Sequence, residues 1–346
     1  MPFTSNELAN IGNALLDFHV KGPAMSQVLQ KRPLFDKLLS KQKTFPGGQG
    51  LITSPVKGNY TTSLQGFTHD DTVSYSNPAN IRRLSAKWYE THAGISFTLT
   101  ELKEAGISVV DTMNFSDTKM HSDREVVILT NLLDDKIDDM LEGWARSFTQ
   151  TLILDGTQDP KLFGGIRSFI LDVPAAAGST FGIDRGANSW WRNRATLNID
   201  SSTASNQNLV NTLQFEMRQL RRFGGNPDLF VCGSSFIDAF EKELRSKGNY
   251  TLEGFANKGR LDGSMSDVSF KGVELLYDPV LDDLGFSKYG YVIDTKHLYL
   301  MAMEGEDRKI HNPARPAEKY VTFRAITWTG ALVSDQLNSC GVYSIL

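Results

Sequence analysis

The chain lacks the features that would mark it as a membrane, secreted or disulfide-stabilised protein. It contains no run of about eighteen apolar residues, so no membrane-spanning helix is expected. Cys232 and Cys340 are the only two cysteines among 346 residues, which excludes a disulfide framework and is typical of synthesis in a reducing compartment. The first residues have neither a basic start nor an apolar stretch, so no secretory signal is predicted.

The net charge is also small. Lysine and arginine number 36 against 40 acidic residues, which gives a formal charge of -4. A protein that condenses nucleic acid by releasing counterions should be clearly basic. Tight DNA binding is therefore not expected, although a near-neutral protein can still line a container that holds DNA.

Motifs for catalysis and metal binding are missing too. The sequence contains no phosphate-binding Gly-rich loop, no nucleophile elbow, no His-Glu-x-x-His and no Cys-x-x-Cys. The six histidines are scattered without ligand spacing, and the Asp pairs lack the alternation of a calcium loop. No catalytic, cofactor or metal site is predicted. Catalytic residues can nevertheless be far apart in sequence, so an enzyme remains an alternative.

Residues 57–101 form a polar segment with little to bury. Val73 and Tyr75 alternate with polar residues, as do the apolar residues of Ile95–Leu99. This alternation predicts strands with one solvent-exposed face. Between them, Thr68–Asn80 has few apolar side chains. The segment is expected to project as a long two-stranded hairpin. Because an isolated hairpin is marginally stable in water, it should rest on a partner subunit.

One long amphipathic helix is predicted at about residues 122–155. Its apolar residues recur at three- and four-residue steps from Val126 to Leu152, and Gly156 follows as a stop. The helix would be roughly 50 Å long, about three times the usual length. Its opposite face is acidic and includes Asp134 and Asp138.

Residues 201–300 resemble a compact α/β unit. An apolar stripe from Leu209 to Leu220 predicts a helix, Leu229–Cys232 a buried strand, and Ser234 or Ser235 the cap of a second helix.

The C-terminal region is predicted to consist of strands. Tyr320–Trp328 and Ala331–Ile345 are rich in residues that favour strands, with turns expected at Gly330 and Gly341.

The order of these parts resembles the major capsid proteins of tailed phages, which have the Hong Kong 97 fold, and the resemblance covers nearly the whole chain. Short phrases add to it: Phe45-Pro46-Gly47-Gly48, Gly164-Gly165-Ile166-Arg167, Asn188-Ser189-Trp190-Trp191-Arg192, Asn226 to Ser234, and Trp328-Thr329-Gly330-Ala331-Leu332-Val333.

The resemblance implies an α+β, Hong Kong 97-like capsid fold with four parts. Residues 1–55 would form the N-terminal arm and residues 56–100 the extended loop (E-loop hairpin). Residues 101–200 and 301–346 would form the peripheral domain, which contains the spine helix at about 122–155. Residues 201–300 would form the axial domain.

The implied function is a coat protein that assembles as pentamers and hexamers into an icosahedral shell around a double-stranded DNA genome. It would be found in the virion and assembled in the bacterial host cytoplasm. The implied partners are other copies of the chain, a separate scaffolding protein, a portal, a cement protein and packaged DNA in non-specific contact, with no cofactor and no membrane. A separate scaffold is expected because the sequence shows no long N-terminal helical extension that could act as a fused one.

Charged and aromatic residues of the hairpin, the arm and the spine helix are the candidates for contacts between subunits. Acidic residues of one hairpin are expected to pair with basic residues of a neighbour's hairpin and set the register of the contact. The basic arm is expected to lie on an acidic surface such as the spine helix of another copy, or else to be a solvated helix face. The candidates are Asp70, Asp71, Tyr75, Arg82, Arg83, Lys87, Lys31, Arg32, Lys37, Asp134 and Asp138.

Three other functions remain open on the sequence. The first is the shell of an encapsulin-type nanocompartment, which shares this fold and holds cargo enzymes instead of DNA. The second is an enzyme with dispersed catalytic residues. The third is another virion component, such as a tail or portal protein.

Overall fold

The structure is a computed structural model that describes residues 30–77, 80–98, 100, 123–201, 208–246, 269–311 and 321–346. Most of the predicted N-terminal arm, residues 1–29, lies outside the described residues, as do residues 101–122. The chain divides into two units. The described residues of the first are in Glu90–Phe148 and Gly305–Trp328, and those of the second are in Lys31–Tyr89, Thr149–Glu304 and Thr329–Leu346.

Helices and strands are mixed along the described chain, as the sequence predicted. The helices are α1 (Pro33–Ser40), α2 (Asp123–Ile153), α3 (Leu209–Arg221), α4 (Ser234–Ser246) and α5 (Pro279–Asp283). The strands are β1 (Lys43–Phe45), β2 (Leu51–Lys57), β3 (Ile81–Lys87), β4 (Tyr89–Thr98), β5 (Ser179–Thr180), β6 (Ile183–Asp184), β7 (Arg194–Ile199), β8 (Leu229–Cys232), β9 (Ser269–Phe270), β10 (Val273–Tyr277), β11 (Tyr289–Ile293), β12 (Leu298–Met303), β13 (Lys309–His311), β14 (Val321–Ser334) and β15 (Gly341–Ile345).

The long helix is confirmed as α2, which has 31 residues. Met140, Trp144 and Phe148 recur at four-residue steps and are buried, whereas Asp138 is exposed. The helix therefore has the amphipathic character that its sequence indicates. Gly156 lies just beyond its end with φ 82°, a left-handed conformation that glycine adopts at low cost.

The core of the first unit forms between α2 and β14. Residues of β14 pair antiparallel with β13, from Lys309 opposite Thr327 to His311 opposite Ala325, and also with β4. Trp328 is fully buried, and its ring meets that of Phe148 edge to face at 4.8 Å. This aromatic contact joins the helix to the sheet.

The second unit contains a six-stranded mixed sheet in the order β7-β15-β11-β8-β10-β9. β8 runs parallel to β10 and antiparallel to β11, and β15 runs antiparallel to β11 and parallel to β7. All four residues of β8 are buried, which fits its place inside the sheet. Two strands, β7 and β15, come from outside residues 201–300.

Helices α3 and α4 supply much of the core of the second unit. Leu213 and Met217 of α3 and Phe236 and Phe240 of α4 cluster with residues of the sheet. The carboxylate of Glu243, which is 3% exposed, accepts hydrogen bonds from the amides of Leu209 and Val210 at 2.9 and 3.2 Å. A buried acid of α4 thus satisfies two of the free amides at the start of α3.

The start of α4 differs from the prediction. Ser234 is the first helical residue, and its amide donates to the Asp282 carboxylate at 3.0 Å. The Ser235 hydroxyl donates to Ser287 Oγ at 3.2 Å. The predicted capping role of these serines is therefore wrong, because a carboxylate from a distant part of the chain reaches the helix end first.

The C-terminal strands are confirmed, but the turn expected at Gly330 is wrong. β14 continues through this residue, and Gly330 is paired with Ala302 of β12. Glycine permits a turn without requiring one, and the pairing of Leu298–Ala302 with Gly330–Ser334 holds the backbone extended. Gly341 begins β15 after a break in the strand.

Candidate subunit interface

The hairpin stem is formed by β2 and β3 of the second unit and not by the predicted strands around Val73 and Ile95, because Ile95 lies in β4, which pairs with β14. The two strands pair antiparallel over seven residues, from Leu51 opposite Lys87 to Lys57 opposite Ile81. Ile52, Val56, Leu84 and Ala86 point to the buried face. This alternation of buried and exposed positions anchors the stem to its own unit.

Beyond the stem, the chain makes no contact that buries it. Every residue from 59 to 77 is exposed, including apolar side chains: Tyr60 at 77%, Leu64 at 104%, Phe67 at 69% and Tyr75 at 94%. The strand predicted around Val73 and Tyr75 is wrong, because residues 71–77 form no strand. Alternating residues give a strand only where a second strand pairs with them.

The loop is ordered locally by its own side chains. The Asp71 carboxylate accepts hydrogen bonds from the Thr68 amide at 2.9 Å and from the Thr68 hydroxyl at 2.8 Å. These two bonds lower the pKa of Asp71 below its usual value. Gln65 Oε1 accepts from the Ser74 amide at 3.1 Å and from the Ser74 hydroxyl at 3.0 Å. The turn at residues 65–74 is therefore formed without any partner.

The charged candidates of the hairpin lie at opposite ends of it. Asp70 and Asp71 are exposed at the loop turn, whereas Arg82, Arg83 and Lys87 are exposed on β3. The Lys87 ammonium lies 5.1 Å from the centre of the Tyr89 ring. A single chain does not bring the acidic and basic groups together, so a pairing between them requires two copies.

The three basic candidates of the arm have different surroundings. Lys31 is exposed. Lys37 forms an ion pair with Asp228 at 3.8 Å, and Arg32 is only 9% exposed. Arg32 and Lys37 therefore interact with their own chain, whereas Lys31 stays a prediction for an interface.

Arg32 lies near a buried acid, Asp278, at the start of α5. Burial raises the pKa of Asp278 to about 6, although hydrogen bonds from the amides of Val280 and Leu34 and the charge of Arg32 act in the opposite direction. An acid with a raised pKa binds its proton more tightly in the folded state, so its ionisation costs stability as the pH rises from about 4 to above 6.

We expect Asp278→Asn to remove this pH dependence. At pH 4 the variant should match the parent, because protonated Asp and Asn are both neutral and nearly isosteric. At pH 7 the variant should be more stable by about 3 kcal/mol, which is two pKa units at 1.36 kcal/mol each. Thermal unfolding of unassembled subunits between pH 4 and 7 measures this difference. Asp36→Asn, at an exposed acid of α1, is the control, and an equal pH profile for both variants would refute the expectation.

The acidic face of the spine helix is only partly described. Asp138 is exposed, whereas the side chain of Asp134 lies outside the described part. Among the described residues, no group of three or more His, Cys, Asp or Glu side chains could hold a metal ion. Both cysteines are buried, and burial raises the pKa of each thiol.

A groove lies beside the hairpin stem, and the sequence did not reveal it. It is lined by residues that include Pro55, Val56, Gly58, Tyr60, Trp190, Phe223 and Leu337 and has a volume of about 470 Å³. We call it the root groove. A Cβ atom at Gly58 would lie 2.9 Å from the Trp190 ring, so only glycine allows this close approach. His297 Nδ1 and Asp335 Oδ1, 2.7 Å apart, also border the groove.

Two of the groove's aromatic residues carried no signal of a site in the sequence. Trp190 stands next to Trp191 in the otherwise polar stretch Asn188–Arg192. Phe223 comes just after the end of α3, in a six-residue stretch that also contains three arginines. An aromatic residue in a polar stretch is unusual, but only the folded chain brings these two beside Gly58.

Comparisons with known proteins identify the fold. No protein-family model matches the chain, and no curated protein matches its sequence. The capsid asymmetric unit of Cyanophage A-1(L) is similar in structure, with a TM-score of 0.64 and 14% identity over 93% of this chain and 95% of that one. The chain has a phage capsid fold.

Two further capsids agree with this assignment. The capsid of Myoviridae phage XM1 gives a TM-score of 0.54 at 11% identity, covering 93% of this chain and 95% of that one. The capsid of a native GTA particle gives 0.55 at 12% identity, covering 95% and 98%. The predicted Hong Kong 97-like capsid fold is therefore confirmed, while the N-terminal arm lies largely outside the described residues. No helix in the described part of this capsid-like chain is long and apolar enough to cross a membrane.

Proposed function

We propose that the chain is the major capsid protein of a tailed double-stranded DNA phage. Copies would assemble as pentamers and hexamers into an icosahedral shell around the genome, and the protein would act as a structural component of the virion rather than as an enzyme. The capsid fold supports this proposal, and the exposed hairpin loop is the single observation that carries it.

The loop is difficult to explain in a protein that works alone. Leu64, Phe67 and Tyr75 of one loop each expose more than two thirds of their surface, and several large apolar residues exposed in one segment are typical of a site of protein association. The loop is nevertheless ordered by Asp71 and Gln65, so a partner meets a surface that is already formed. In a shell, each weak contact of this kind is repeated in every subunit, and modest energies suffice.

The division of the chain follows from the same proposal. Residues 1–55 would be the arm, 56–100 the extended loop, 101–200 with 301–346 the peripheral domain, and 201–300 the axial domain. The partners would be other copies, a separate scaffolding protein, a portal and a cement protein, with packaged DNA in non-specific contact. Assembly would take place in the cytoplasm of a bacterial host.

We expect that reversing the charge of the acidic loop turn will block assembly. In Asp70→Lys/Asp71→Lys, two cations would replace the acids that meet a neighbour's exposed Arg82 or Arg83, which point to opposite faces of β3, and like charges placed together cost several kcal/mol. The yield of closed particles should fall at least tenfold. Negative-stain electron microscopy and sedimentation of the expressed chain measure it. Unfolding of the unassembled subunit should not change, because residues 59–77 are exposed.

A charge swap provides the control. Adding Arg82→Asp/Arg83→Asp to Asp70→Lys alone, which keeps the hydrogen bonds from Thr68 to Asp71 that order the turn, should restore particles, because attraction returns with opposite signs. The arginine changes alone should block assembly as the loop reversal does. Particles of normal yield from the reversed loop would end the proposed pairing.

A further inference from the structure

Arg185 is a buried cation for which the described residues supply no counter-ion. It is only 8% exposed. Its Nε donates to the Gly178 carbonyl at a long 3.4 Å, and none of the described residues accepts a hydrogen bond from Nη1 or Nη2. A charge leaves water at a high cost unless another partner replaces the water. These two nitrogens therefore indicate a site for an anion.

The hairpin of β5 and β6 fixes the position of this guanidinium. Arg185 follows β6 directly, and its amide donates to the Gly178 carbonyl at 3.1 Å, which extends the pairing of the two strands. The Arg185 side chain crosses Gly178, where a Cβ atom would lie 2.8 Å from Nη2. Gly178 also has φ 135°, a conformation that favours glycine. The hairpin thus makes room for the guanidinium through the missing side chain of Gly178.

A cavity of about 340 Å³ lies beside this guanidinium, and its lining includes Asp155, Arg167, Asp172 and Arg185. Arg167 and Asp172 form an ion pair at 3.4 Å. The Arg167 Cζ atom also lies 3.9 Å from the centre of the Phe286 ring. Because the charges of Arg167 and Asp172 compensate each other, Asp155 and Arg185 decide which ligand the cavity favours.

The Asp155 carboxylate is already held by the residues that follow it. Its Oδ1 accepts hydrogen bonds from the Thr157 amide at 3.1 Å, the Thr157 hydroxyl at 2.8 Å and the Gln158 side-chain amide at 2.9 Å. The bonds from Thr157 and Gln158 lower the pKa of Asp155 below its usual value. Asp155 forms no ion pair with Arg185 in the structure as described. Arg185 is therefore the cation of the cavity whose terminal nitrogens are available to a ligand.

We propose that the cavity beside Arg185 binds a small oxyanion of the phosphate class, whose oxygens accept hydrogen bonds from Nη1 and Nη2 of Arg185. The planar guanidinium donates two parallel bonds to such an anion. The volume, about 340 Å³, is near the lower end of the range of about 300–1,000 Å³ for ligand pockets, which favours a small ligand. Because Arg185 is 8% exposed, a free ion reaches it more easily than a phosphate of a bulky DNA duplex. This inference does not depend on the proposed capsid function.

Equilibrium dialysis of the unassembled full chain against radiolabelled inorganic phosphate, at constant ionic strength, tests the site. The unmodified chain should show one saturable site per chain. Arg185→Gln should lower the affinity at least tenfold, because it removes the charge-assisted hydrogen bonds to the anion. The control is Arg218→Gln, which removes an exposed arginine of α3 outside the cavity and should leave the affinity unchanged. Equal affinities of the Arg185→Gln variant and the parent would overturn the proposal.

Gly178→Ala tests the geometry without changing any charge. Its Cβ atom would displace Nη2 of Arg185, so phosphate binding should weaken while the net charge stays the same. Circular dichroism without phosphate shows whether each variant is folded. If neither variant folds, the unmodified chain decides. Absence of saturable binding to it would refute the site, including the case in which an acid from outside the described residues already pairs with Arg185.

Competition separates the two sources of phosphate. A short DNA duplex, added at the same concentration of phosphate groups, should not displace the labelled ion, whereas unlabelled inorganic phosphate should displace it fully. Displacement by the duplex would overturn the assignment to a small ion and give the site to nucleic-acid phosphates instead.

Discussion

Trp328→Ala is expected to destabilise the subunit by about 3–5 kcal/mol, the usual cost of truncating a buried tryptophan. Trp328 is fully buried, and its ring packs edge to face on Phe148 at 4.8 Å. The truncation would remove this contact and leave a cavity between α2 and β14. Because a typical domain is stable by only 5–15 kcal/mol, we expect the melting temperature of the unassembled subunit to fall by about 6–10 °C.

Phe223→Ala is the matched control for this truncation. Phe223 is also an aromatic residue, but it is 62% exposed, so its loss should change the stability by no more than about 0.5 kcal/mol. The two variants should therefore separate the loss of a buried ring from the loss of an exposed one. Equal losses of melting temperature would show that the aromatic core of the first unit is not as tightly packed as the structure indicates.

Gly165→Ala is expected to cost about 3 kcal/mol, at the upper end of the range for overpacked sites. A Cβ atom at this position would lie 2.3 Å from the carbonyl oxygens of Thr151 and Leu152 in the last turn of α2. Those atoms belong to the backbone of a helix and cannot move aside as a flexible side chain can. The Gly165 amide also donates to the Leu154 carbonyl at 2.8 Å, so the strain would fall on a hydrogen-bonded helix end.

The same substitution at Gly143 should have the opposite sign. Gly143 lies inside α2 and is exposed, and apart from its chain neighbours and the backbone of its own helix no atom lies within 4 Å of its Cβ position. Alanine there should stabilise the helix by about 0.5–1 kcal/mol, because it loses less backbone entropy on folding. Urea unfolding at one pH measures the change in the free energy of unfolding of both variants. A stabilising Gly165→Ala would show that the loop after α2 can move away from the helix.

The exposure of the hairpin loop could be predicted from the sequence. The low apolar content of residues 57–101 implied a segment that its own chain does not bury, and residues 59–77 are exposed. Asp70, Asp71, Arg82 and Arg83 are exposed, and their predicted role in contacts between subunits stays a prediction. Burial depends strongly on composition, so a segment with few apolar residues can be recognised without knowing its neighbours.

The arm residues and the root groove could not be predicted in this way. The sequence pattern predicts that Arg32 belongs to a basic surface, yet it is buried near Asp278, which lies about 250 residues away in sequence. The groove depends on Gly58, Trp190 and Phe223, which come from three distant segments. No local pattern indicates which distant segments will meet.

The sequence by itself determined the long helix, the buried strands of the α/β unit and the exposure of the polar loop, because periodicity and composition are local properties that burial selects directly. Only the tertiary structure decided that β14 passes through Gly330 without turning, that Glu243 caps α3, and that Trp190 closes on Gly58. Each of these features depends on a partner that is distant in the sequence. The physical reason is that a backbone group or an aromatic ring contacts the group that the fold brings close to it.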